Sequence, residues 1–199
     1  MNIRTAIEAD NSNPKYVQLV EAAHGLFWRY GIKRVSVEEI CRAAGVSKMT
    51  FYAHFKNKVE LALYVLRKVM QTGLEVYRDI MDRDVPFAEK AADFIQMKLD
   101  ASDDVSREII EEIMHSPISE IAEYMQQLSR QNVQLLLADL TKAQQNGEIR
   151  QDIKPEFLLY FIHHMIEIST EEQLTGMFSS PQDLTRELLS LFFYGILPR

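Results

Sequence analysis

Cysteine is nearly absent from this chain of 199 residues: Cys41 stands alone, so no internal disulfide can form and a reducing compartment is acceptable. Long apolar runs are missing too. None approaches the roughly 18 residues of a membrane span, and the opening stretch MNIRTAIEADNSNPK has no apolar signal-peptide core, so a cytoplasmic protein with no membrane partner is expected. No alternating strand pattern, internal repeat or low-complexity tract stands out. There is no phosphate-cradling Gly-rich loop, no H-E-x-x-H and no nucleophile elbow. Those absences remove the common catalytic signatures and leave no catalytic, metal or cofactor assignment.

What is present is an ordinary globular composition, 47% hydrophobic and 26% charged, enough for one large or two small domains. The net charge of −7 argues against a nucleic-acid partner until its distribution is considered. Residues 1–60 carry nine Lys or Arg against six Asp or Glu, whereas the other 139 carry 13 against 23. A basic head on an acidic body meets phosphate with one face only.

Apolar spacing predicts an all-α chain. Tyr16, Val20, Ala23, Phe27 and Tyr30 place a first helix over 14–30, ended by Gly31. Leu66, Val69, Gly73, Tyr77 and Ile80 mark a long helix over 58–83, stopped by Pro86. Further helices are expected over 87–101, 104–115, 118–146, 156–175 and 182–196, with 147–155 as a connector.

Residues 31–60, GIKRVSVEEICRAAGVSKMTFYAHFKNKVE, are the most informative stretch. Ser36 and Glu39 form a capping box that starts a helix at about Val37, and Gly45 supplies the left-handed residue that ends it. Ser47 can cap a second helix in which Phe51 and Phe55 point inward while Lys48, Thr50, Tyr52 and His54 are presented outward. Two short helices, a tight turn and a basic, hydroxyl-rich second helix are suited to a DNA groove.

These residues resemble the tetracycline-repressor (TetR) family of one-component transcriptional regulators. The resemblance rests on Ser36-Val37-Glu38-Glu39-Ile40, on Ala44-Gly45-Val46-Ser47-Lys48 and on Phe51 through Leu61, in the family's order and spacing, and it covers Ala22 to Leu61. Cys41 and Met49 depart slightly from the common pattern, and Met49 bears on base choice. The resemblance implies an α-helical homodimer with an arm at 1–13, a helix-turn-helix domain at 14–57 and a ligand-binding and dimerisation domain at 58–199. It implies a double-stranded operator of pseudo-palindromic form, an unidentified small-molecule effector, and repression more than activation.

At the DNA, Lys48 is a candidate donor to guanine or phosphate, with a solvated surface lysine as the alternative; Thr50 and Tyr52 carry hydroxyls suited to phosphate, and Met49 is a candidate that bears on base choice. Tyr52 has the alternative of packing on the first helix, and His54 is either a phosphate contact or a surface residue. Lys58, at the start of the long helix, is placed to meet phosphate. Ser36 is chiefly a cap whose family counterpart also lies near the DNA backbone. Arg4 in the arm is a candidate for the minor groove, with an unordered arm as the alternative.

In the body, the wrap of apolar residues around 156–168 and 188–197 exceeds one core-facing side, so Phe157, Phe161, Leu188 and Phe192 are expected at a subunit interface; burial on all sides is the alternative. Met114, His115, His163 and Glu167 are candidate effector contacts, with core filling and exposed pairs as alternatives. A metal-dependent helical-bundle enzyme is a different class, suggested by Glu112-Ile113-Met114-His115 and Glu21-Ala22-Ala23-His24. A helical interaction module without DNA binding is a third, opposed by Lys48, Thr50, Tyr52 and Lys58.

Overall fold

The computed structural model describes Ile7 and residues 13–101, 105–169 and 171–198, with the backbone alone at Arg107, Met114 and Glu172. Among them are ten helices and no strand: α1 Pro14–Tyr30, α2 Val37–Ala44, α3 Lys48–His54, α4 Lys58–Met81, α5 Phe87–Ala101, α6 Arg107–Met114, α7 Ser119–Gln145, α8 Pro155–Ile168, α9 Glu172–Thr175 and α10 Pro181–Ile196. The expected arm, and Arg4 with it, lies outside the described residues except for two positions. Ile7 is fully buried in the core around α1, and Asn13 caps α1 by accepting the Lys15 N–H at 3.0 Å.

Local chemistry sets most helix ends. Ser36 and Glu39 form the reciprocal box at the start of α2, Gly45 follows it at φ 65°, and Ser47 Oγ accepts the Thr50 N–H at 3.1 Å to start α3. Asn57 Oδ1 caps α4 through the Glu60 N–H at 2.9 Å. Helix α6 begins at 107, not 104, because Ser106 Oγ takes the Ile109 N–H. The helix expected over 156–175 is broken after Ile168, where Ser169 Oγ donates to the Ile166 carbonyl at 2.7 Å, and α9 is a separate turn.

Two compact units result: Met1–Val76 with Asp104–Gln126, and Tyr77–Asp103 with Gln127–Arg199. The first takes in far more than residues 14–57. Leu61, Ala62, Val65 and Leu66 of α4, together with Ile109 and Ile121, are buried in the same cluster as Leu19, Phe27, Ile40 and Phe51. Each Leu, Ile, Val or Phe among them contributes about 1.5–3 kcal/mol on leaving water, so the helix-turn-helix rests on the long helix as well as on its own small core.

The second unit is organised by a run of rings. Tyr77 meets Phe94 at 5.6 Å, Phe94 meets Phe193 at 5.5 Å, Phe193 meets Phe192 at 5.1 Å, and Phe192 stacks on Phe161 at 5.9 Å. Within this unit Tyr77 also donates to Asp139 Oδ2 at 2.5 Å, and burial together with that hydrogen bond raises the phenol's pKa. No helix among the described residues is long and apolar enough to cross a membrane.

Candidate nucleic-acid interface

Helix α3 has one face fixed and one face free. Phe51 is fully buried and Phe55 nearly so, while Met49 is 81% and Tyr52 56% exposed. The Tyr52 ring touches Phe51 edge-on at 5.1 Å and otherwise points outward, so of its two expected placements the outward one is observed. Lys48 is exposed and forms an ion pair with Glu38 of α2. That contact raises the lysine's pKa and lowers the carboxyl's, so both stay charged. Thr50 is half-buried, its hydroxyl 3.0 Å from Ser47 Oγ within the cap.

Two expected contacts are placed differently. His54 is half-buried with its ring edge-to-face on Tyr16 at 5.3 Å, which ties the end of α3 to α1. Lys58 turns inward: Nζ donates to the carbonyls of Val35 at 2.7 Å and Lys33 at 3.0 Å, and burial lowers its pKa. Its ammonium braces the turn before α2 where a phosphate contact was expected, because two carbonyls of that turn converge on the start of α4.

The same turn is held from a second side. Glu112 of α6 accepts the N–H groups of Ile32 at 2.8 Å and Lys33 at 2.9 Å, and the Ser106 N–H donates to the Trp28 carbonyl at 2.9 Å. Gly31 sits at φ 80° directly against the Glu112 carboxylate. Glu112 is thus committed to backbone donors, which removes it from the Glu-x-x-His pattern of a metal site. His24, of the other such pattern, packs on Trp28 at 4.5 Å, and its burial lowers its pKa. No sequence signal marks Glu112, whose partners lie 79 and 80 residues away.

The expected effector residues lie on α8 and on or at the end of α6. The Met114 side chain lies outside what is described, and His115 is an exposed residue ending α6. His163 and Glu167 are exposed on α8, whose inner face is Leu158, Ile162 and Met165. His163 Nδ1 lies 3.0 Å from the Leu159 carbonyl, and Glu167 approaches His164 at 3.9 Å. Sequence spacing missed two other polar atoms. Thr72 Oγ1 and Glu75 Oε2 of α4 are enclosed without a hydrogen-bond partner among the described residues.

Among the expected interface residues, Phe157 and Phe161 are exposed, Leu188 is half-buried and Phe192 is buried beneath Phe161. Tyr160, Leu191 and Tyr194 extend the exposed apolar face of α8 and α10. A solvent-open cleft of about 490 Å³ lies at one end of this face, lined by Arg150, Lys154, Phe157, Phe161, Leu191 and Phe192 among others.

Residues 19–65 match the family model described as bacterial regulatory proteins, tetR family. The chain is 32% identical over 65 residues to the HTH-type transcriptional regulator SAB2452 of Staphylococcus aureus, a match spanning 33% of this chain and 35% of that regulator. It is 21% identical over 191 residues to the HTH-type transcriptional repressor KstR2 of Mycobacterium tuberculosis, spanning 94% of this chain and 96% of the repressor. The fold is similar to that of the transcriptional regulator FadR from Bacillus subtilis in complex with stearoyl-CoA, with a TM-score of 0.68, 21% identity and coverage of 91% of this chain and 99% of that one. With its outward-facing α3 on a fixed core, the segment 19–65 carries the DNA-binding domain of bacterial regulatory proteins of the tetR family, and the whole chain shares its fold with full-length regulators.

Proposed function

We propose that the protein is a ligand-responsive repressor that binds a pseudo-palindromic operator as a homodimer in the cytoplasm. The observation that carries the reading is α3 itself, a short helix whose buried Phe51 fixes the orientation of exposed Lys48, Met49 and Tyr52. Side chains held in this way reach base edges and phosphates without first being ordered. Of the expected DNA contacts, Lys48, Met49 and Tyr52 keep that role, with Ser36 and Thr50 beside them as caps near the backbone. His54 and Lys58 act as positioning residues behind the reader.

The dimer is supported by the exposed aromatic and aliphatic face of α8 and α10, where Phe157, Tyr160, Leu191 and Tyr194 would be covered by the same face of a second copy. Two such pairs of helices form a four-helix bundle about the two-fold axis. Response to an effector is supported by Glu112, through which a displacement of α6 is felt at the turn before α2. A ligand acts only by binding two shapes of the protein unequally. Thr72 and Glu75 supply polar anchors for it, and the likeness to FadR with stearoyl-CoA makes long-chain acyl-CoA the first class to screen.

The test is selection of binding sequences from a random duplex library by the purified protein. Recovery of one inverted repeat supports the reading. Sequence-blind binding, or none, contradicts it.

A further inference from the structure

Glu38 is an acidic side chain on a surface read above as facing DNA. It stands in the first turn of α2, is 53% exposed, and pairs with Lys48, itself 56% exposed. Capping does not account for it, since the box that starts α2 uses Ser36 and Glu39. Its worth to stability is small, since an exposed ion pair adds little and a carboxylate in the first turn of a helix gains only modestly from the dipole. Beside a polyphosphate a carboxylate is repelled, and it also draws off the charge of the lysine it holds.

The major groove gives such a pair a use. A carboxylate can only accept, so its partners among base edges are the amino groups of cytosine and adenine. An ammonium can only donate, and it finds its strongest acceptors at guanine O6 and N7. In a G·C pair the guanine acceptors and the cytosine N4 amino group lie side by side across the groove. A lysine and a glutamate held together present the matching pattern of donor and acceptor.

We propose that Glu38 is a specificity-determining residue of the reader, which with Lys48 selects a G·C pair in each half-site and lowers binding to unrelated DNA. The inference rests on the DNA-binding reading given above. Phosphates and thymine offer the carboxylate nothing, so a mismatched site leaves it without a partner and holds Lys48 back from the backbone.

The experiment runs site selection in parallel on the wild type, on Glu38→Gln and on the charge-swapped Glu38→Lys/Lys48→Glu variant. Anisotropy follows on the selected duplex, its single-base variants and a scrambled duplex across a salt series. Glu38→Gln is expected to flatten the preference at one base pair per half-site by about tenfold, to bind scrambled DNA more tightly, and to steepen the salt dependence by about one counterion. The swap keeps the ion pair but exchanges donor and acceptor, so its preferred base is expected to change. An unchanged base profile in Glu38→Gln, or a swap that restores the wild-type profile, overturns the inference while leaving the DNA-binding reading intact. A wild type that selects no repeat overturns both.

Discussion

Glu112 Oε2 accepts the Ile32 backbone N–H at 2.8 Å, fastening α6 to the turn that leads into the helix-turn-helix. The Lys33 N–H joins the same carboxylate, and Lys58 Nζ holds the opposite side of the turn through its carbonyls. A turn gripped by an anion on its donors and a cation on its acceptors has little freedom, and α2 begins four residues further on.

Glu112→Ala is therefore expected to cost about 1.5–3 kcal/mol in urea unfolding, the range for hydrogen bonds to a charged group. It is also expected to weaken operator binding, although Glu112 stands on α6 and not on α3. Full operator affinity in this variant would separate the turn from the reader.

Gly31→Ala strains the same place in two ways. Gly31 has φ 80°, and a Cβ there would stand 2.7 Å from Glu112 Oε1. We expect a loss of about 1–3 kcal/mol and, in the double variant with Glu112→Ala, an effect smaller than the sum of the two. Denaturation of the four proteins of this cycle checks it; strict additivity would mean the glycine and the carboxylate do not interact.

Alkaline stability is expected to depend on Tyr77. Its phenol is buried and donates to Asp139, so its pKa in the folded state is raised, whereas an unfolded phenol ionises near pH 10. Above about pH 10 the folded state binds more protons than the unfolded state, so this contribution to stability is complete below that pH and is lost as the pH rises. Tyr77→Phe should be less stable near neutrality, because the half-buried Asp139 loses its donor, yet should show a shallower decline from pH 9 to 11. Urea midpoints across that range measure it, and parallel declines would refute it.

Leu191→Glu with Phe157→Glu places two charges on the exposed apolar face of α8 and α10, where the side chains are 69% and 56% exposed. Folding should be retained, since neither side chain is in the core. Sedimentation should shift from twice the chain mass to the 23.1 kDa of one chain, and operator affinity should fall by more than tenfold. A variant that remains dimeric would place the interface elsewhere.

The reader was legible in the sequence because its determinants are local. Ser36, Glu39, Gly45 and Ser47 each act within four residues of themselves, and Phe51 and Phe55 repeat at helical spacing. The outward set on α3 follows from that phase alone. Contacts distant in sequence were not legible: Glu112 read as half of a metal pattern because nothing near it reveals that its partners lie in a turn before α2. Lys58 read as a phosphate ligand because the carbonyls that hold it are 23 and 25 residues away. On α8 apolar residues occupy nearly every side, so periodicity left open whether His163 and Glu167 face inward or form an exposed pair, and they lie off the inner face. The break at Ser169 escaped for a related reason, as a serine is tolerated within a helix and only its bond to Ile166 marks the end.

The most direct measurement of the central claim is the stoichiometry and affinity of the purified protein on its selected inverted repeat, compared with a single half-site and a scrambled duplex of equal length. One dimer per repeat is expected, with the half-site and the scrambled duplex each bound at least about tenfold more weakly. Equal affinity for all three duplexes, or binding as a monomer, would contradict it.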